Sequence, residues 1–253
     1  MTLDRRSFIG ITAGALACRT MLAKAQAEQP SISHGCCVTS GEFAQLLTRN
    51  DGVQAYSQGD EPIIQHSSNR DFDRALAYML ASISSVFGVL PGFGYYDDGN
   101  RHNAYANPAR RLGRRDGTVL FGLGLLQDKL SEVPGGARVA AVCAHEFGHI
   151  VQFKYDLQAR IRSGSSTVKP IELHADYLAG YYAARHREDV PSFPAAEFAM
   201  SQYLGGDPYV GEEDHHGTRR ERGAAGEAGF KARKLNNLYL SEAIEQGIKY
   251  VQG

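Results

Sequence analysis

The run His145-Glu146-Phe147-Gly148-His149 constrains this chain more than any other stretch. Residues four apart share one face of an α-helix, so a helix over 140–153 lets both imidazoles converge on one point. Val139, Val142, Ile150, Val151 and Phe153 around the run are apolar and suit a buried helix, and Gly148 is expected to leave room between the two histidines. Two convergent imidazole nitrogens are a metal-binding pair, and zinc takes nitrogen ligands in near-tetrahedral geometry. Glu146 can reach a water in the open position of such an ion, and a water acidified by zinc and deprotonated by a carboxylate attacks a peptide carbonyl. The same five residues can also arise on an amphipathic helix whose histidines merely cap its polar face. A third ligand decides between the two.

Glu172 is the expected third ligand. Pro170 suits the first turn of a helix, where its missing N–H costs nothing, and the residues after it are rich in Ala, Leu and Tyr. Glu172 and Asp176 lie four apart on one face of that helix. His145, His149 and Glu172 then form the two-His-one-Glu set of a catalytic zinc ion with an open position. Asp176, one turn on, can accept a hydrogen bond from the far nitrogen of a ligand histidine and fix its tautomer. His174 is turned about 200° away from Glu172 and is not expected to bind. The longer H-E-x-x-H-x-x-G-x-x-H motif is absent, because Gln152 occupies its glycine position.

Length and charge set the frame. The chain has 253 residues, 43% hydrophobic and 22% charged, which suits one sizeable core. Residues 1–27 read as a cleavable export signal: Arg5-Arg6, an apolar run too short to span a bilayer, and small residues at Ala23, Ala25 and Ala27. The order Arg5-Arg6-Ser7-Phe8-Ile9 favours the twin-arginine type. A lipoprotein processed at Cys18 is the alternative. Arg5, Arg6, Arg19 and Lys24 against Asp4 give this segment +3, so the overall −1 becomes −4 for a chain without it. Such a chain has no basic surface for nucleic acid. The expected product is an exported protein, periplasmic or secreted, with residues 28–253 forming one domain and no integral membrane span. Of the cysteines left, Cys36 and Cys37 are adjacent and poorly placed to bridge each other, and Cys143 is expected to pack as a small buried hydrophobe.

The remaining elements are read from periodicity. Leu76, Met79, Leu80, Ile83 and Phe87 predict a packing helix over 71–87, capped by Ser68 or Asn69. Short strands are expected within 91–99, at 103–106 and at 118–122, and a short helix at 124–130. A helical candidate lies at 41–47. The arginines of 110–115 read as a solvated loop, and 163–167, within 156–169, as a flexible stretch near the cleft. One helix is expected to start at Ser192 or Pro194, and the last to run over 234–250 with Leu235, Leu238, Ala243, Ile244 and Ile248 buried. If the strand that closely precedes the metal-binding helix is an edge strand bordering the cleft, an extended peptide could pair with it through its backbone.

Three blocks of the chain together resemble a family. His145–Gln152 as HEFGHIVQ, Glu172–Gly180 as ELHADYLAG, and His216-Gly217-Thr218 with Arg222 are similar to the neutral zinc metallopeptidases, and the strands at 103–106 and 119–122 resemble the CAAX-prenyl-protease-like families. Both are gluzincins. The resemblance implies an α+β, zincin-like fold: a small sheet over the H-E-x-x-H helix with a mainly helical C-terminal part. It implies a zinc metalloendopeptidase acting on a peptide or protein substrate, with Zn2+ on His145, His149 and Glu172 and Glu146 as general base. It also gives His216 a role, stabilising the oxyanion of the tetrahedral intermediate, with Tyr203 and Tyr209 as weaker candidates. His174 departs from the glutamine usual there. The alternative is a zinc-binding assembly protein of the cell envelope that no longer cuts.

Overall fold

The computed structural model describes residues 61–132 and 134–253. The export signal, Cys18, Cys36, Cys37 and the helical candidate at 41–47 lie outside the described residues. Among the described residues no helix is long and apolar enough to cross a membrane. The architecture is α+β, a three-stranded sheet with a mostly helical remainder.

Helix α1 (Arg70–Phe87) starts at Asn69, whose side chain accepts from the N–H groups of Asp71 and Phe72, and ends at Gly88 in the left-handed conformation. Its apolar stripe, Phe72, Leu76, Met79, Ile83 and Phe87, is buried, because the 3.6-residue period keeps it on one face. The strands follow: β1 (Gly92–Tyr96), β2 (Ala104–Asn107) and β3 (Thr118–Gly122). Their spatial order is β1-β3-β2, with β3 parallel to β1 and antiparallel to β2. β3 is buried along its whole length, as a central strand covered on both faces must be. Val119 and Phe121 point into the main core, while Leu120 meets Tyr96 and Tyr105 on the other face.

Beyond β3 the chain is helical: α2 (Leu123–Ser131), α3 (Gly135–Lys154), α4 (Gln158–Arg162), α5 (Lys169–Asp189), α6 (Ala195–Leu204), α7 (Arg219–Lys234) and α8 (Leu240–Gln252). The Asp98 carboxylate just past β1 accepts from the N–H groups of Gly124 (2.7 Å) and Leu125 (3.1 Å), which fixes the start of α2 against the sheet. α3 and α5 are buried on nearly every face and form the centre of the molecule, α3 packing against the sheet as expected. Gly148 does not separate the histidines. It faces α5, where an added Cβ would lie 3.1 Å from the Ala175 backbone. α5 and α7 touch backbone to backbone: a Cβ at Gly229 would lie 1.8 Å from the Tyr177 carbonyl oxygen, so only glycine permits this crossing.

Helix α7 starts from a capping box formed by Thr218 and Glu221: the Thr218 side chain accepts from the Glu221 N–H, and the Glu221 carboxylate accepts from the Thr218 N–H. Thr218→Ala is expected to cost about 1 kcal/mol of unfolding free energy, read from urea denaturation. The last helix starts at Leu240, not near 234. Asn237 adopts a positive φ of 52° and breaks the helix, leaving Leu235 71% exposed. The 163–167 stretch lies between α4, where Ile161 is fully buried, and Val168, whose N–H bonds to the Glu213 carbonyl. The arginine loop is mostly exposed, but Arg111 turns inward to donate to the Glu61 carbonyl.

Candidate metal centre

His145 and His149, one turn apart on α3, and Glu172, in the first turn of α5, meet in the middle of the protein. All three are buried. The two Nε2 atoms are 3.1 Å apart. One Glu172 oxygen lies 3.2 Å from His145 Nε2 and the other 3.5 Å from His149 Nε2. The three residues anticipated as ligands are thus brought together, and His174 is not among them.

The surroundings decide which nitrogen of each ring carries its proton. His145 Nδ1 lies 2.8 Å from Asp176 Oδ1, so it donates there and its Nε2 is bare. Asp176 is in turn gripped by Arg222, whose Nε lies 2.7 Å from Oδ2 and Nη2 2.9 Å from Oδ1. Arg222 Nη1 donates to the Gly205 carbonyl at 2.9 Å, and Gln202 Nε2 to the Asp176 carbonyl at 3.0 Å. His149 Nδ1 faces Gln152 Oε1 at 3.0 Å. The Gln152 amide cannot be turned round, because its Nε2 donates to the Ile171 carbonyl at 2.8 Å. His149 is therefore also the Nδ1–H tautomer with Nε2 bare.

Two imidazole lone pairs and a carboxylate then point at one buried spot with no donor among them. Buried acceptors that face one another repel unless a cation lies between them. The donor set fits a metal ion, and the group could bind one. Burial disfavours charge on His145, but the Asp176 and Glu172 carboxylates outweigh burial and push its pKa up to about 10. Burial would raise the Glu172 pKa, yet His149 and His145 hold it well below the usual carboxylate range. Burial likewise opposes the Asp176 charge, and Arg222 and His145 overcome it and lower its pKa.

A cleft of about 780 Å³ reaches this centre from one side. His145 and Glu146 line it, while His149 and Glu172 lie behind them. Asn103 and Ala104, where β2 begins, form part of one wall, and the 204–209 turn with His216 forms part of the opposite one. No residue of 156–169 is among its described lining. Glu146 is wholly buried beside His145. His216 is 2% exposed, and its Nε2 has no hydrogen-bond partner among the described residues. Asp207 holds His216 there: it accepts the His216 main-chain N–H at 2.8 Å, His215 Nδ1 at 2.6 Å and the Tyr209 N–H at 2.9 Å. Tyr209 lines the cleft but is half exposed, and Tyr203 packs on Gly223 outside it.

No protein-family model, curated protein or solved structure matches this chain.

Gln152 and Arg222 stand in the blocks that carry the resemblance, but their roles are not given there. Gln152 follows His149 by three positions, a neighbour on the helix surface, and that spacing is a usable signal. The role of Arg222 has no local signal, since it reaches Asp176 from a separate helix. Cys143 packs as a buried hydrophobe, as expected, with burial pushing its thiol pKa up.

His174 has a consequence for acid stability. Burial pushes its pKa down from 6.5 to about 4. A histidine whose folded pKa is depressed lends stability that is complete above its unfolded pKa and is lost as pH falls from about 6.5 toward 4. His174→Gln, which cannot take up that proton, is expected to lose on the order of 2–3 kcal/mol less than the native chain between pH 7 and pH 4.5. Urea midpoints of both proteins at the two pH values check this, and equal losses would refute it.

Proposed function

We propose that this chain is a zinc-dependent metallopeptidase of the gluzincin type, with a zincin-like arrangement of sheet and helices. The observation that carries the reading is the placement of Glu146. A carboxylate that is not a ligand stands beside a His-His-Glu donor set and, with His145, lines the cleft that reaches it. A purely structural site closes its fourth position and has no use for an adjacent base. Zinc suits the set by size. Ligands about 2.1 Å from a tetrahedral centre stand about 3.4 Å apart, and the observed separations are 3.1, 3.2 and 3.5 Å.

Zinc held by His145, His149 and Glu172 would supply a Lewis acid that acidifies water and polarises a carbonyl. The chain's own groups do the rest. Glu146 takes the proton of the attacking water and later passes it to the leaving amine nitrogen. His216, with its proton on Nε2, donates to the carbonyl oxygen as negative charge develops there. Asp207 keeps that ring in the cleft wall through the His216 main-chain N–H. Asp176 and Arg222 hold His145 in its Nδ1–H form so that its bare Nε2 faces the ion. β2 lies at an edge in the order of the described strands and borders the cleft, where an extended peptide could run along it.

The test is zinc content together with cleavage of an unfolded protein, before and after chelation. One bound zinc, with cleavage lost on chelation and regained on adding zinc, is the expected result. A zinc-loaded chain that cleaves nothing would overturn the peptidase reading and leave a metal-binding assembly protein.

A further inference from the structure

His149 is held from behind by a hydrogen-bonded chain that leaves the metal centre and ends in the C-terminal helix. Gln152 Oε1 accepts from His149 Nδ1 at 3.0 Å. Gln152 Nε2 gives one proton to the Ile171 carbonyl at 2.8 Å and directs its other toward His174 Nδ1 at 3.2 Å. His174 Nε2 lies 3.3 Å from the Ile244 carbonyl in α8. Gln152 and His174 are fully buried, so water does not substitute for any of these partners. Each polar atom has one role consistent with its neighbours: the Ile244 carbonyl can only accept, so His174 carries its proton on Nε2. Its Nδ1 must then accept, which matches the second Gln152 N–H.

We propose that this relay makes α8 part of the metal centre, so that docking of the C-terminal helix sets the affinity of His149 for its ion. The inference rests on the reading of His145, His149 and Glu172 as metal ligands. With α8 displaced, the His174 Nε2–H loses its acceptor inside the protein, and the His174 ring loses the contact that orients it. Moving that proton to Nδ1 restores nothing, because Nδ1–H then meets the Gln152 N–H donor to donor. Gln152 is then held by the Ile171 carbonyl alone, and its Oε1 is less firmly fixed against His149 Nδ1. A ligand histidine with a weakened partner behind it is less well oriented and less basic at Nε2, and it binds its ion more weakly. Three hydrogen bonds thus carry the position of α8 to the ligand atom.

α8 approaches this closely because residue 247 is glycine. A Cβ there would lie 2.9 Å from Tyr177 Cδ1 and 3.0 Å from His174 Cδ2, both ring atoms in the packed interior. Gly247 is not one of the metal-ligand set and does not line the cleft. That makes it the critical site for a test, since the side chains an added Cβ meets first are those of Tyr177 and His174.

The test measures zinc affinity of the full chain by competition with a chromophoric chelator, with a urea unfolding curve for every variant. The variants are Gln152→Leu, Gln152→Glu, His174→Phe, His174→Gln, Gly247→Ala and, on the exposed face of α8, Gln246→Ala. Gln152→Leu is expected to bind zinc about 10- to 100-fold more weakly, the usual effect of removing a partner behind a ligand histidine. Gln152→Glu should recover most of this, because a carboxylate accepts from His149 Nδ1. Gly247→Ala and His174→Phe should each weaken binding about 10-fold. His174→Gln, which keeps a donor and an acceptor, and Gln246→Ala should stay near the native value. The cobalt-loaded forms add a second readout: the visible spectrum should change in the weakened variants and not in Gln246→Ala. If Gly247→Ala does not fold, the His174→Phe and His174→Gln pair carries the same comparison. Native affinity in both Gly247→Ala and His174→Phe would overturn the relay, even with Gln152→Leu impaired. Loss of stability without loss of affinity would overturn it too, showing packing alone. A native chain that takes up no zinc refutes the metal reading itself, before any variant is compared.

Discussion

Glu146→Gln is expected to lower peptide cleavage about 10³-fold while leaving zinc content and unfolding free energy near their native values. The two residues are nearly the same size, so the buried position beside His145 is still filled. The carboxamide cannot take a proton from water or return one to an amine. Since Glu146 is not one of the three convergent ligands, the ion should remain. The combination of the two readouts is what makes the prediction sharp. A variant that loses zinc along with activity would show Glu146 to be part of the ligand set. Full activity in a zinc-loaded Glu146→Gln protein would remove the proposed mechanism.

The second large effect is expected at Arg222. Its guanidinium is the one described strong counter-charge to Asp176 other than His145, and Asp176 is completely buried. Arg222→Met keeps the length of the side chain and strands the carboxylate. Breaking a buried ion pair from one side costs about 3–5 kcal/mol, because the remaining charge has no water and keeps only the His145 Nδ1–H to offset it. Urea unfolding of the chelator-treated protein should show a loss of that size. Adding Asp176→Asn removes the stranded charge while leaving an oxygen for His145 Nδ1, so the double variant should be more stable than Arg222→Met alone. If the two losses simply add, Arg222 acts by packing and not as the partner of Asp176. Zinc binding should weaken in the single variant as well, since Asp176 holds the tautomer of His145.

Both predictions concern parts of the protein of very different visibility. The convergence of His145 and His149 follows from a spacing of four in a helix, a property of the local period alone. The apolar flanks of that run similarly point to a buried helix, and α3 is one. The stripe of α1 and the three strands are legible for the same reason: periodicity and turn residues act within a few positions. The capping box at Thr218 is equally local, since Thr218 and Glu221 stand three positions apart at the start of α7.

The failures have one cause as well. Leu235 looks like core because it is apolar, but whether it is buried depends on where α7 ends, and Asn237 decides that through its own backbone. Gly148 looks like space between two histidines, and only the packing of α5 shows that it makes room for Ala175.

By itself the sequence determined which residue types could form a metal centre and which two of them share a helix face. It also named Glu172 and Asp176, because a second short-range pattern on another helix has only a few acidic positions to offer. Only the tertiary structure decided that these helices meet, with ligand atoms 3.1–3.5 Å apart. It alone brought Arg222 from α7 to Asp176 and the Ile244 carbonyl from α8 to His174. Those contacts join residues 46 and 70 positions apart. Local spacing carries no information about them, because they depend on how closely helix backbones pack, at Gly229 against Tyr177 and at Gly247 against His174.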